Sequence, residues 1–574
     1  MKSVITHFRG ILKNVGWVKG KPTTGPNSRV DLRNMAFRAM NYFLRTPRPH
    51  LNYACRFGVS LTACPPGPEG EDLVANGDTD IRMESTLPGL RNLSRRTDGL
   101  EVDRGLYRRI MGYVGKDQLS RMSYAAVCAK DLSPELNMVS PWTTGLTIRS
   151  LTEHWLYSGE KAFLTRAKKM AQAMKKIAWW DTGRVYYPGG GLLNGKWIGA
   201  GFGAKVTFYT TAIHDLLHYA VYAGDEEIIE FAWQLARGVV ADLPPESGPF
   251  SLADRRFRPD GSFTDHTHIH TRTVWGVAMA GRVMRDPALI EWARRAYEFV
   301  RSCGTDFGWF PERTILPGRH PYDGYEDRVD VSETCVTGDM LQIAIELAKA
   351  GYPHYWDHAE RYLKNYVHEV QFVLTPEIEK FYRKINADNP RLEEGLKILG
   401  DFDGGFISDI SVNDWSSPTF GLMPMAGCCV PEGARAIVMV WRSIVETEGK
   451  NVKVNMIFNY DGDDCRIEEK WNGVRITPTR SMTLHVRPPA WTDRNSVHIK
   501  SKSSPIKPEW SGDYLALPPM QKNVPFELTW KVPTFTQQIE VGGRIGRQHP
   551  YSITWQGNRV LQVGPKGNTF PIFK

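Results

Sequence analysis

From about residue 30 to residue 433 apolar side chains recur at spacings of three and four, the pattern of helices that bury one face. The clearest stretches are 163–178, 207–222, 228–240, 288–300 and 340–350. They come in pairs, each joined by a short turn of similar chemistry: Ser158-Gly159-Glu160, Ala223-Gly224-Asp225, Arg285-Asp286-Pro287 and Ala350-Gly351-Tyr352-Pro353. Glycine or Asp/Pro at the joint ends one helix and caps the next. From Gly159 to Gly224 to Asp286 to Gly351 the steps are 65, 62 and 65 residues. A helical hairpin repeating at that interval predicts an array that closes on itself, and roughly 400 residues hold about six such hairpins, the content of an (α/α)6 toroid. The segments between hairpins, such as 250–270 and 304–330, are rich in Gly, Pro and aromatics, and long loops inside a compact domain are usually functional. In a toroid they crowd one mouth.

After a helix at 434–445 the period changes to short runs of β-forming residues separated by Pro, Gly and Asn: 452–458, 475–479, 482–487, 497–500, 514–517, 526–532 and 551–555. These predict a β-sandwich. The expected organisation is therefore mainly α with a β domain: a lead-in at 1–30, an (α/α)6-toroid catalytic domain at 31–433, and a C-terminal β-sandwich accessory domain at 434–574.

Composition narrows the function classes. The 574 residues are 41% apolar and 24% charged, with a net charge of +9. The basic residues are scattered among nearly as many acids, without the run that nucleic-acid arms show, so no nucleic-acid partner is expected. Residues 1–21 are basic and amphipathic, but Arg9 and Lys13 interrupt any signal-peptide core. Nothing approaches the about 18 consecutive apolar residues of a membrane span, so no membrane partner is expected. Eight cysteines in so long a chain do not make a disulfide framework, and a reducing cytoplasm is the expected setting. Eighteen tryptophans suit a sugar site as well as a core. A homodimer stays open.

Two cysteine-bearing motifs carry the chemistry. Ser332-Glu333-Thr334-Cys335 and Gly427-Cys428-Cys429 each stand just before a helix, roughly 90 residues apart. Zinc accepts four thiolate or carboxylate ligands, and Glu333, Cys335, Cys428 and Cys429 have that number and softness. By spacing alone, Cys428 and Cys429 read equally as small buried hydrophobes or a strained vicinal disulfide. The alternation His266-Thr267-His268-Ile269-His270, taken as an extended segment, puts three imidazoles on one face, as substrate contacts or as ligands of a second metal. Trp142, the turn at 189–191 and Trp309 are further cleft candidates from loop position.

Together these motifs resemble the β-L-arabinofuranosidase family of glycoside hydrolases, the zinc/cysteine type of family 127, in a distant branch. Thr337-Gly338-Asp339-Met340, the stretch from Trp356 through Glu360-Arg361-Tyr362 and Asn365 to Glu369 and Gln371, Gly433-Ala434-Arg435 with Trp441, and Val454-Asn455 agree with it. The likeness runs from about residue 151 to 487. It implies a retaining exo-glycosidase in which Cys428, kept ionised by Zn2+ held by Glu333, Cys335, Cys428 and Cys429, attacks the anomeric carbon. It also implies an acid/base carboxyl, Glu312 ahead of Glu326, and a sugar contact at His268. The segment between acid and ligands is longer here than in the family. A zinc-stabilised, non-catalytic carbohydrate-binding protein on the same fold is the alternative, and a uronide hydrolase or lyase, which would not need thiols, is a third.

Overall fold

In the computed structural model, residues 30–68, 78–123, 137–181, 184–187, 191–198, 212–241, 257–316, 329–501, 509–543 and 549–573 are described. The helices fall into two kinds, told apart by how much of their circumference is buried. α1 (Leu32–Arg45), α3 (Leu100–Gly112), α5 (Lys161–Ile177), α7 (Glu226–Val240), α9 (Pro287–Ser302) and α11 (Tyr355–Tyr362, continued by a π turn at Leu363–Val367) alternate in the chain with α2 (Thr79–Ser94), α4 (Pro141–Ser158), α6 (Ile213–Ala223), α8 (Thr267–Met284), α10 (Thr334–Lys349) and α14 (Cys429–Ser443). In α5 only Ala167, Met170, Ala171 and Met174 are buried, one stripe at spacings of three and one. In α8 nearly every residue from Thr267 to Gly281 is buried, on all sides. A helix buried all round must lie inside the array, and a helix with one apolar stripe must cover it.

The packing follows that division. α2, α4, α6, α8, α10 and α14 each touch the next, and α14 touches α2, so the six close a ring. The outer helices α3, α5, α7, α9 and α11 each pack on the inner helix before them in the chain. α1 packs on α2 and α14, completing the outer layer from the opposite end of the sequence. The four expected hairpin joints are where the pattern puts them. Gly159, Gly224 and Gly351 take φ of 77°, 70° and 110°, the left-handed region that glycine enters without strain. At the third joint Arg285 is left-handed and Asp286 caps α9, its carboxylate accepting from Ala288 N and Leu289 N. Two small helices, α12 (Pro376–Ile385) and α13 (Leu392–Asp401), lead back to α14.

The helix that straddles the expected boundary at 433/434 belongs to the ring, and the strands begin at Val445. They do not close as one sandwich. One five-stranded sheet contains Val445–Glu448, Asn451–Val454, Thr483–Val486, Tyr514–Ala516 and Glu509–Ser511, and another contains Tyr460–Asp461, Cys465–Lys470, Gly473–Pro478, Phe526–Thr529 and His498–Ser501. A third, three-stranded antiparallel sheet, Thr534–Val541, His549–Gln556 and Arg559–Gly564, lies against the toroid. There Gln537 donates to Asp306 at 2.7 Å, Gly543 N donates to Val329 O at 3.1 Å, and Gly543 O accepts from Ile315 N. This sheet braces the loop that follows α9. No helix among the described residues is long and apolar enough to cross a membrane.

Candidate active site

Every inner helix runs in the same sense, so six N-termini, with their unsatisfied N–H groups and partial positive charge, gather at one mouth of the ring. The motif residues sit there. Glu333 is the N-cap of α10 and Cys335 lies in its first turn; Cys428 is the N-cap of α14 and Cys429 begins it. Gly427 makes the approach possible: the strand Pro424–Ala426 pairs antiparallel with Gly58–Ser60, and a β-carbon at 427 would collide with the Arg56 carbonyl.

The three thiols form one buried group with all sulfurs within 4.8 Å of one another. Cys335 Sγ is 3.2 Å from Cys429 Sγ, and Cys428 Sγ is 3.8 Å from Cys429 Sγ, too far for a vicinal disulfide. Ser408 Oγ donates to Cys429 at 2.9 Å. Hydrogen bonds from the Cys335 and Cys429 thiols, with Arg82 nearby, hold Cys428 well below the usual thiol value. Burial pushes Cys335 and Cys429 the other way. Cys428 is thus the thiol of the set whose charged form is favoured, and with 8% of its surface exposed it is the one that reaches the mouth.

The fourth expected ligand stands beside this group. Glu333 turns its carboxylate to His266 Nε2 at 3.0 Å, and Glu312 lies 4.0 Å from the same nitrogen. These three also lie within 4.8 Å of one another, while the Glu333 charge still acts on Cys428 and Cys429. Burial opposes a charge on His266, but Glu333 outweighs it and holds the imidazole above its ordinary value. Asp265–His266 pairs with Arg313–Thr314 as a short antiparallel ladder, which sets His266 beside Glu312. Asp265 pays for this with a φ of 142°, held by a bond from Arg313 Nη1 at 2.5 Å. Three buried sulfurs with an adjacent carboxylate suit a thiophilic metal ion in chemistry and in number.

The histidines depart from the sequence expectation. Only His266 is extended; α8 starts at Thr267, so alternate residues no longer share a face. His270 turns into the outer wall, stacked on Phe263 at 4.1 Å, with Nδ1 2.8 Å from His266 O, and it takes no part in the site. His268 stays near the mouth with both nitrogens committed to protein groups. Arg82 Nη1, which can only donate, is 3.0 Å from Nε2, so Nδ1 carries the proton and donates to Asp339 at 2.6 Å. Both His268 nitrogens thus face protein groups. Trp142 lies under Arg82 and Arg272 and donates to Asp78 at 2.9 Å. Trp309 is core, donating to Ile410 O. Glu326 and positions 189 and 190 lie outside the described residues.

The sequence reading missed the charge layer beneath the mouth. Glu432, fully buried, accepts from Arg82, Arg272 and Arg435 at 3.0, 2.7 and 2.8 Å. Burial alone would raise its carboxyl, but these guanidinium groups hold it far below the usual range. Asp339 belonged to a quoted motif without a role; Arg82 precedes the stretch of family likeness, and nothing local marked it.

No family model matches the sequence, and no curated protein does. Solved structures do match. A GH127 β-L-arabinofuranosidase from Geobacillus stearothermophilus T6 is 12% identical over 97% of this chain and 83% of its own, with a TM-score of 0.57. A GH127 β-arabinofuranosidase designated BT3674 is 14% identical over 95% and 86%, with a TM-score of 0.60. A third structure, described as a glycoside hydrolase, is 11% identical over 84% and 77%, with a TM-score of 0.55. These likenesses span most of each chain, and the chain has the fold of the GH127 β-L-arabinofuranosidases.

Proposed function

We propose that this protein is a retaining exo-glycoside hydrolase that removes a β-L-arabinofuranosyl or similar terminal sugar. The observation that carries the proposal is the placement of Cys428 among two further thiols, directly beside the group of Glu312, His266 and Glu333. A Zn2+ ion would be held by Cys335, Cys428, Cys429 and Glu333, and when bound it supplies positive charge that keeps the thiols deprotonated at neutral pH. Glu333 meets this role by turning from His266 toward the sulfurs, whose charge it already feels.

Cys428 Sγ attacks the anomeric carbon as the bond from that carbon to the leaving oxygen breaks, and Glu312 delivers its proton to that oxygen. Glu312, 1% exposed, then takes a proton from water as the water oxygen attacks the same carbon and the carbon–sulfur bond breaks. Two displacements retain the anomeric configuration. His266 spans Glu312 and Glu333 and positions both. His268, fixed between Arg82 and Asp339, holds the wall of the pocket and does not touch the sugar through nitrogen.

The test combines metal analysis with intact-mass spectrometry on a panel of aryl furanosides and pyranosides. One zinc per chain, and a mass increase of one sugar residue mapped to Cys428 in Glu312→Gln protein, are expected. Full turnover by a zinc-loaded Cys428→Ser protein would refute the nucleophile. Wild-type protein that cleaves nothing in the panel but binds sugars would replace the hydrolase with a carbohydrate-binding protein.

A further inference from the structure

The ring has a second opening, at the C-terminal ends of the inner helices, and the mechanism uses nothing there. A cavity of about 110 Å³ lies at that end, lined among others by Arg149, His214, Trp275, Arg282, Lys349 and Arg442. Lys349 is 14 residues beyond Cys335 along α10, about 21 Å at the helical rise, so this cavity and the thiol mouth are at opposite ends. Between them lies the layer of Arg82, Arg272 and Arg435 around Glu432.

The lining is cationic, but its cations are not equally matched. Arg442 is held by both oxygens of Glu153 at 2.9 and 2.8 Å, Arg282 by Glu346, and Lys349 lies 3.6 Å from Glu446. Arg149 has no such carboxylate to itself. Its nearest, Asp215, is 3.6 Å away and is shared with His214 at 2.8 Å and Arg272 at 3.5 Å. Arg149 is 1% exposed, and its Nε and Nη1 have no hydrogen-bond acceptor among the described residues. Its guanidinium lies over the Trp275 ring at 5.1 Å, and Trp275 Nε1, on a side chain 2% exposed, likewise has no acceptor among the described residues. Arg149 Nε and Trp275 Nε1, on two adjacent buried side chains, are thus donors without an acceptor among the described residues, while Arg149 Nη1 faces Asp215 Oδ1 at 3.6 Å. A buried donor without an acceptor costs about 1–3 kcal/mol, and more when charged.

We infer that this cavity is a binding site for a small oxyanion, a phosphate or a small carboxylate, received by Arg149 and Trp275. The group supplies what Arg149 Nε and Trp275 Nε1 lack, acceptor oxygens and a negative charge, in a cavity of about 110 Å³. Helix C-termini disfavour anions, but that effect fades within one turn, and Arg149 and Trp275 are each the ninth residue of an 18-residue helix. The inference does not depend on the proposed hydrolase activity.

Isothermal titration of the full chain with inorganic phosphate, and separately with acetate, tests it. Saturable one-to-one binding of at least one of the two is expected. Trp275→Phe, which keeps an aromatic side chain and removes the donor, should weaken it about fivefold, the loss of one hydrogen bond. Arg149→Met should abolish it, and if that protein does not fold, Trp275→Phe decides alone. Phosphate binding alone assigns the site to phosphoryl groups, and acetate binding alone to carboxylates. If neither binds, or if binding is unchanged in Trp275→Phe, the inference is wrong.

Discussion

Replacing Glu432 by Gln removes one negative charge from the centre of the ring while keeping nearly the same shape. Oε1 of Glu432 accepts from Arg82, Arg272 and Arg435, and Oε2 accepts from Arg435 at 2.9 Å. The amide keeps one acceptor, so three ion-paired bonds become bonds from a guanidinium to a neutral oxygen at a loss of about 1–1.5 kcal/mol each, and its NH2 faces Arg435, donor against donor. The sum, about 3–5 kcal/mol, agrees with the cost of removing one partner from a buried ion pair. It is also a large fraction of the about 5–15 kcal/mol that separates folded from unfolded states. Urea unfolding followed by tryptophan fluorescence should show the midpoint falling with little change in slope. Adding Arg435→Met should recover part of the loss, since a surplus cation goes with it, with a coupling of about 1 kcal/mol or more. A Glu432→Gln protein within about 1 kcal/mol of wild type, or strictly additive losses, would refute the claim that this carboxylate holds the inner helices together.

Three further expectations rest on single features. Burial holds the His214 imidazole down to about 3. Below the ordinary value near 6.5 the unfolded chain binds a proton that the folded chain refuses, so stability falls as pH falls, by about 1.4 kcal/mol per unit for this residue. Unfolding at pH 7 and pH 5 should show a loss about 2 kcal/mol smaller in His214→Gln than in wild type, and equal losses would contradict the assignment. Glu312→Gln should lower kcat/KM, which reports the first displacement, about 10²–10⁴-fold for substrates with poor leaving groups and far less for dinitrophenyl glycosides, since these need no proton; equal losses of kcat/KM on both would remove Glu312 as the acid. Gly427→Ala should displace the Cys428-Cys429 turn and lower zinc content below one per chain while circular dichroism stays native, and a full zinc complement would show that the close backbone approach does not position the thiols.

The repeat was legible because outer helices carry a single apolar stripe and the joints need particular residues: Gly159, Gly224, Asp286 and Gly351 mark four hairpins by residue type alone. The hairpin of α2 and α3 went unnamed since α2 is buried on all sides and carries Pro88 and Gly89 within it, so neither period nor breaker rule describes it. The thiol trio was legible from ligand chemistry and the family resemblance together. What failed was direction. His266, His268 and His270 alternate as in a strand, but the chain enters α8 at Thr267, and a helix sends successive side chains about 100° apart, so the His270 ring turns to Phe263 while those of His266 and His268 stay 6.1 Å apart. The contact of Glu333 with His266 depends on a ladder formed by residues about 50 apart, which no local pattern shows. Arg82, Arg272 and Glu432 look like ordinary surface charges in a sequence, and only closure of the ring makes them interior.

That closure also sets an order in time. The ring is shut by α14, and α1, its outer partner, is about 390 residues earlier in the chain. As the chain leaves the ribosome, α1 must wait for nearly the whole toroid, and five inner helices stand with an open seam until residue 443 has emerged. Cys335 likewise waits 93 residues for Cys428, roughly 5–20 s at ordinary rates of elongation. The incomplete chain therefore holds its thiols apart, and the group of three forms only when the last inner helix docks.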